Sequence, residues 1–451
     1  MLITNVYSGI ADFCVLTQKN AIDFAGVYNM NHDIKEIPRS KYLHALISRK
    51  HNRSIKVVTG IRRVGKSYLL FEIFYHHLKD SGVDDTHIIR IVLDNPDYIQ
   101  FRDSGRLYEY LKSCITDDEM YYVLLDEVQM LENFEEVLNG LLYFKNVDVY
   151  VTGSNSKFLS KDVITEFRGR GDEVHVYPLT FQEFMAVYDG DKYDGWMEYV
   201  TYGGLPGVLL REDEEQKTQY LQTLFTETYL KDIITRNRIR NDAELEILID
   251  IISSAVGSLT NPLRISATFE SVNHTRISEH TIKSYLNALE DAYLIIGVKR
   301  FNVRGRQYIG SPLKYYFEDV GLRNVRLNFR QQEENYLMEN IIYNELRYRG
   351  YSVDVGVVET FEKDSMGKSV RKVLEIDFVA NKGSKRYYVQ SAFHMPDAEK
   401  AEQEKRSLVN VRDSFKKIIV VKDIMKLKRD DDGITTMSIY DFLLDEMSLD
   451  R

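Results

Sequence analysis

The stretch SIKVVTGIRRVGKSYLLFEIFY, residues 54–75 of a 451-residue chain, decides how the rest is read. Ile55, Val57 and Val58 form an apolar run of strand length, and Leu69, Leu70, Ile73 and Phe74 recur at the spacing of one helix face. Between them Gly60, Gly65, Lys66 and Ser67 fit the pattern GxxxxGK[ST]. Two glycines at this spacing let the backbone curl, so that successive N–H groups and the helix N-terminus aim at phosphate oxygens. Lys66 is then expected to reach the β- and γ-phosphates of a nucleotide, with the Ser67 hydroxyl on Mg²⁺. Gly60, Arg63, Gly65, Lys66, Ser67 and Tyr68 are the expected nucleotide contacts.

Strand-like apolar runs continue beyond this stretch, alternating with helical patterns as far as residue 188, which predicts a parallel sheet covered on both faces. The predicted strands are 55–59, 88–93, 121–125, 147–152 and 174–177. The third leads through YYVLL straight into Asp126 and Glu127. Open α/β sheets bind ligands at the carboxyl ends of their strands, so both carboxylates are expected beside the phosphate loop. Asp126 is assigned to Mg²⁺, and Glu127 to orienting and deprotonating an attacking water. The fourth strand ends in Thr152, Ser154 and Asn155, where a polar side chain can contact the γ-phosphate or simply cap a helix. Arg168 and Arg170 flank a glycine in EFRGRGDE. They either complete charge stabilisation at a neighbouring copy's γ-phosphate or form a surface turn.

Composition sets the limits of these readings. A chain this long holds two or three domains. It is 44% hydrophobic, and its net charge of -10 argues against a globally basic nucleic-acid coat while leaving room for a local basic face. The chain has no apolar run of about 18 residues and no basic-then-apolar leader, so no membrane association is expected. Its two cysteines, Cys14 and Cys114, suit a reducing cytoplasm and exclude a disulfide framework or a cysteine metal site. Residues 1–35 read as an N-terminal extension without a clear period, with Met30 an alternative initiator.

Taken together, Gly60 to Ser67, Asp126-Glu127, the TGSNS strand end, the RGR turn and YPLTFQEF resemble a large prokaryotic group of AAA-type ATPases. In that group the ATPase domain precedes a C-terminal domain of unknown function. YGGLP (202–206), YLKDIITR (229–236), KYYFEDVGLRN (314–324) and the EIDFV segment extend the resemblance over nearly all of the chain beyond residue 35. The resemblance implies ATP as the nucleotide, a three-layer αβα P-loop NTPase domain over 36–190 and a helical lid over 191–243. It also makes Arg236 or a neighbouring base a second sensor, while Arg168 and Arg170 suit either a homo-oligomer with shared active sites or a monomer with an intramolecular arginine.

Residues 244–330 read as a winged-helix-like domain. Ser278 has the character of an N-cap before a helix over 281–291, and 295–301 with 307–309 would form a two-stranded wing. Lys299, Arg300, Arg304, Arg306, Lys314, Arg323, Arg326 and Arg330, interleaved with Tyr308, Tyr315 and Tyr316, make this stretch locally basic. Double-stranded DNA held through 278–310 is one expectation and a plain packing module the other. The order helix, three strands, helix and strand over 331–451 resembles a restriction-endonuclease-like core. There Glu339 and Asp377 match two acidic positions, and Gln390, Ser391 and Ala392 replace the remaining acid and lysine. An inactive nuclease-like α/β domain is expected, with Glu375 a substitute ligand and a Mg²⁺-dependent nuclease the alternative.

Overall fold

The computed structural model describes residues 37–153, 169–331, 333–363 and 369–451. The expectations for the first 36 residues, Ser154, Asn155 and Arg168 lie outside the described residues. The chain divides into two compact units, with the boundary between Tyr177 and Pro178. Among the described residues no helix is long and apolar enough to cross a membrane.

The first unit is built on five parallel strands, β1 (Ile55–Thr59), β2 (Ile88–Val92), β3 (Tyr121–Asp126), β4 (Val147–Thr152) and β5 (Gly171–His175), in the order β2-β3-β4-β1-β5. Every residue of β1, β3 and β4 is buried, so these strands are predominantly apolar, and two charges they carry, Lys56 and Asp148, pair with each other. Period-two alternation sorts them onto two faces. Ile55, Val57, Val123, Leu125, Val149 and Val151 share a core with Leu107 and Leu111 of helix Ser104–Cys114 and with Val137, Leu138 and Leu141 of helix Phe134–Leu141. Burying each such side chain contributes about 1.5–3 kcal/mol. On the opposite face Phe74 packs on Tyr150, with ring centroids 4.5 Å apart. The helix after the phosphate loop begins as Lys66–Tyr68, passes through a π-helical segment Leu69–Phe74 and continues as Tyr75–Asp80. Cys114 is disulfide-bonded, and its partner lies outside the described residues. The cysteines therefore lend no support to a reducing compartment.

The second unit opens with helices, among them Lys192–Tyr202, Asp242–Ser254, Pro262–Asn273 and Glu279–Asp291. Ser278 caps the last of these, accepting from the Thr281 N–H at 3.1 Å. An eight-stranded sheet follows, made of β6 (Ile295–Asn302), β7 (Gln307–Phe317), β8 (Ser352–Lys363), β9 (Ser369–Lys382), β10 (Lys385–Ala392), β11 (Lys416–Val421), β12 (Lys428–Arg429) and β13 (Ile434–Ser438). Its order is β12-β13-β11-β10-β9-β8-β6-β7.

This order corrects the wing. The hairpin forms as expected, with Phe301 opposite Tyr308, but β6 also pairs in parallel with β8 through Arg300–Val355 and Asn302–Val357. The hairpin is therefore an edge of the C-terminal eight-stranded sheet, because its backbone groups find partners there. The basic face is corrected as well. Lys314 and Arg323 are buried, and Arg326 is engaged by Asp250 at 2.5 Å and Glu246 at 3.0 Å. Tyr315 and Tyr316 lie in the core, whereas Tyr308 is 61% exposed.

The segment KYYFEDVGLRN acts as a junction. The Phe317 N–H donates to Asn340 Oδ1 at 2.8 Å, and Asn340 Nδ2 donates to Phe317 O at 2.7 Å, closing the β7 edge against helix Glu334–Tyr348. Asp319 accepts from the Gly204 N–H at 2.7 Å, Arg323 Nε donates to Ser253 O at 2.8 Å and Asn324 Nδ2 donates to Val200 O at 2.8 Å. These polar side chains are spent on the buried backbone of three other segments, so their role is structural.

Candidate active site

The phosphate loop leaves the carboxyl end of β1, and its two glycines are needed for different reasons. At Gly60, with φ 133°, an added Cβ would meet Val176 O at 2.2 Å. Gly65 has open space around it and is needed for its left-handed φ of 97°. Arg63 is exposed in the loop, also at positive φ, and Tyr68 is half-buried in the first helical turn. Lys66 is buried, and its ammonium donates to Gly60 O and Ile61 O, each at 3.0 Å.

The sheet order places β4 between β1 and β3, and this makes the site one connected relay. Ser67 Oγ donates to Asp126 Oδ1 at 3.0 Å. Thr152 Oγ1, at the end of β4, donates to the same carboxylate oxygen and accepts from the Glu127 N–H at 3.0 Å. Glu127 is held in a left-handed backbone conformation, φ 51°, and Gln129 Nε2 donates to its carboxylate. Such a conformation costs a non-glycine residue on the order of 1 kcal/mol or more and clusters at functional sites.

Electrostatics sharpen the picture. Burial first, then the neighbouring Glu127 charge, pushes Asp126 up to about 6 against the opposing hydrogen bonds from Thr152 and Ser67. Asp94, just past β2, is raised by burial and by Glu127. Three carboxylates thus crowd one another at adjacent strand ends, an arrangement that a divalent cation would relieve. The residues fit Mg²⁺ with a nucleotide phosphate. Asp94 escaped the sequence reading because an aspartate before Asn-Pro reads as a turn. The available signal was its place after the apolar run IIRIVL.

Arg170 is exposed and stands just before β5, where its carbonyl accepts from the Ile55 N–H at 2.8 Å. That is the amino end of the sheet, and the five residues of β1 separate it from the loop by roughly 16 Å. Within one chain Arg170 does not reach the phosphate loop of its own sheet. Arg236 forms an ion pair with Asp232 at 2.9 Å.

A second charged cluster lies in the C-terminal unit. Lys314 Nζ, on β7, stands 2.8 Å from both Glu339 and Glu375 and 3.7 Å from Asp377. Tyr316 Oη donates to Glu339 at 2.6 Å, and the Ser391 N–H donates to Asp377 at 2.8 Å. The core that lacks a lysine in its third strand receives one from the annexed hairpin. One ammonium serves three carboxylates. Lys314 is driven further towards its charged form by Glu339, Asp377 and Glu375 against burial, while burial and the Glu339 charge push Asp377 up and Lys314 opposes them. Among the described residues no three His, Cys, Asp or Glu side chains gather closely enough to hold a metal ion by themselves.

Family models match the chain in two places, an AAA domain over residues 52–185 and a domain of unknown function (DUF8612) over 193–333. An uncharacterized protein of Haemophilus influenzae is 33% identical over 414 residues, covering 90% of this chain and 98% of its own. An uncharacterized protein of Methanocaldococcus jannaschii is 28% identical over 392 residues, covering 83% and 80%. Among solved structures, the Aeropyrum pernix ORC1 protein in complex with DNA matches at 11% identity and a TM-score of 0.30, over 66% of this chain and 94% of that one. With the loop, the relay and the sheet order in place, the chain belongs to the family in which an AAA-type P-loop ATPase domain is followed by a C-terminal domain of unknown function.

Proposed function

We propose that the protein binds and hydrolyses Mg-ATP and uses turnover to drive a conformational change in its C-terminal half. The observation that carries this reading is the relay from Ser67 through Asp126 and Thr152 to Glu127. Lys66 and the loop N–H groups bind the phosphates, while Ser67 and Asp126 hold the cation. Mg²⁺, when bound, supplies charge neutralisation at the phosphate oxygens. Glu127 orients a water and accepts its proton at the side-chain carboxylate. Asn155 is assigned to sensing the γ-phosphate. Arg168 and Arg170 are assigned to the site of another copy in a homo-oligomer, a role favoured by the position of Arg170 at the far end of its own sheet.

Phosphate release by the wild type and by Glu127→Gln, over a protein dilution series, tests this. Turnover is expected to fall about 10²–10⁴-fold in the variant, with binding of a fluorescent ATP analogue retained. In Lys66→Ala that binding is expected to disappear. Undiminished turnover in Glu127→Gln would remove the assigned base, and specific activity independent of concentration would remove the shared site. A second reading, DNA bound through 278–310, is favoured by the exposure of Arg304, Arg306 and Tyr308.

A further inference from the structure

The turns at one end of the C-terminal sheet line a half-open pocket of about 660 Å³, within the size range of small-ligand sites. Its wall comes from the β6–β7 turn, the β9–β10 turn and the loop before β11. In a chain of net charge -10 this wall carries Arg304, Arg306, Lys385, Arg386 and Arg412 against the single carboxylate of Asp413.

The charges differ in how they are compensated. Lys385 is paired with Asp450 at 2.9 Å. Asp413 is already engaged, accepting from Tyr388 Oη at 2.6 Å and from the Phe415 N–H at 3.2 Å. Arg304 is pinned by two neutral acceptors, donating to Glu359 O at 2.6 Å and Asn410 O at 2.9 Å, so it keeps its charge in a fixed pose. Arg386 Nε donates to Asn381 Oδ1 at 2.7 Å, and its guanidinium stands 5.5 Å from the Phe301 ring centroid and 5.3 Å from that of Phe415. Arg306 and Arg412 are exposed and have no hydrogen-bond or ion-pair partner among the described residues.

We infer that this cavity binds the phosphate of a nucleotide, with the base packed against Phe415 and the Arg386 guanidinium. Fixed guanidinium groups suit phosphate oxygens through bidentate hydrogen bonds, and those already held by neutral acceptors bind with little further ordering cost. A phenyl face beside a guanidinium plane is a surface on which bases stack without sequence preference. Phe415 is 39% exposed, so its ring is available. The pocket's volume fits one nucleotide, free or at the end of a strand. This site uses none of the phosphate-loop residues and stands whether or not ATP is hydrolysed.

The test uses full-length Lys66→Ala protein, so that nucleotide held by the phosphate loop does not enter the signal. AMP is titrated by calorimetry, and a 3′-labelled, 5′-phosphorylated ten-residue oligothymidylate by fluorescence anisotropy. Saturable binding of either probe below about 1 mM is expected. Adding Arg306→Ala and Arg412→Ala should weaken it at least tenfold and flatten its salt dependence, with the thermal unfolding midpoint unchanged. Saturation by AMP alone identifies a free nucleotide, and saturation by the oligonucleotide with competition by AMP identifies a strand end. Failure of both probes to saturate, or undiminished binding after both arginines are removed, would overturn the inference.

Discussion

Each unit gathers three carboxylates near a buried lysine, and the two arrangements serve opposite ends. At the phosphate loop Lys66 donates to the carbonyls of its own loop, while Asp126 and Asp94 at the neighbouring strand ends are both raised by burial and by the charge of Glu127. In the C-terminal unit Lys314 sits among Glu339, Glu375 and Asp377 and neutralises them directly. The first arrangement is poised for a cation and a phosphate. The second is internally satisfied, as a structural ion cluster should be.

The sharpest way to break this comparison is to delete each lysine. Lys314→Met should cost about 3–5 kcal/mol in urea unfolding, because it leaves buried carboxylates without a counter-charge. Without nucleotide, Lys66→Met should cost less, about 1–2 kcal/mol, since the Gly60 and Ile61 carbonyls it would leave are neutral acceptors. Equal losses would erase the distinction.

A smaller effect should appear with pH. Asp126 and Asp319 are both raised to about 6, in each case first by burial. A carboxyl raised on folding binds its proton more tightly in the folded state. Its stabilising contribution is therefore complete below the unfolded value near 3.8 and is lost as pH rises through 6, about 3 kcal/mol per group at most. Unfolding measured from pH 4 to 7 should show this decline, and Asp126→Asn should remove its own share while leaving that of Asp319. An identical pH slope in wild type and variant would contradict the crowding of carboxylates at the strand ends.

The smallest effect sharpens the loop itself. Gly60→Ala adds a clash with Val176 O to an unfavourable φ, whereas Gly65→Ala adds only the φ cost. Thermal unfolding should show Gly60→Ala losing about 2 kcal/mol and Gly65→Ala about 1 kcal/mol. The reverse order would mean that the close approach to β5 is not what requires glycine at 60.

Much of the first unit was legible because its signals are local. The first four strands, the acidic pair and the phosphate loop each occupy a short run whose periodicity and glycine placement report one backbone path, whereas β5, expected at 174–177, runs over Gly171–His175, because its polar residues are held by pairing with β1. Asp94 was missed because its meaning depends on β2 lying beside β3. In the second unit the helices, the Ser278 cap and most strands of the C-terminal sheet were legible for the same local reason, while the fate of the basic stretch was not. Composition could count Lys314, Arg323 and Arg326 as positive charges, but it could not say that the first two would be buried and the third paired with Glu246 and Asp250.

By itself, then, the sequence determined the phosphate loop, the order of strands and helices along the chain and the acids that follow β3. Strand, turn and cap preferences act over a few residues and leave their mark in adjacent letters. Only the tertiary structure decided that β6 would pair with β8, bringing Lys314 to a glutamate 25 residues away and Arg304 to the mouth of a cavity. Sheet pairing joins distant segments by backbone hydrogen bonds that nearly any sequence can make. Which buried charge meets which is therefore written in the packing of the whole unit and in no single stretch of it.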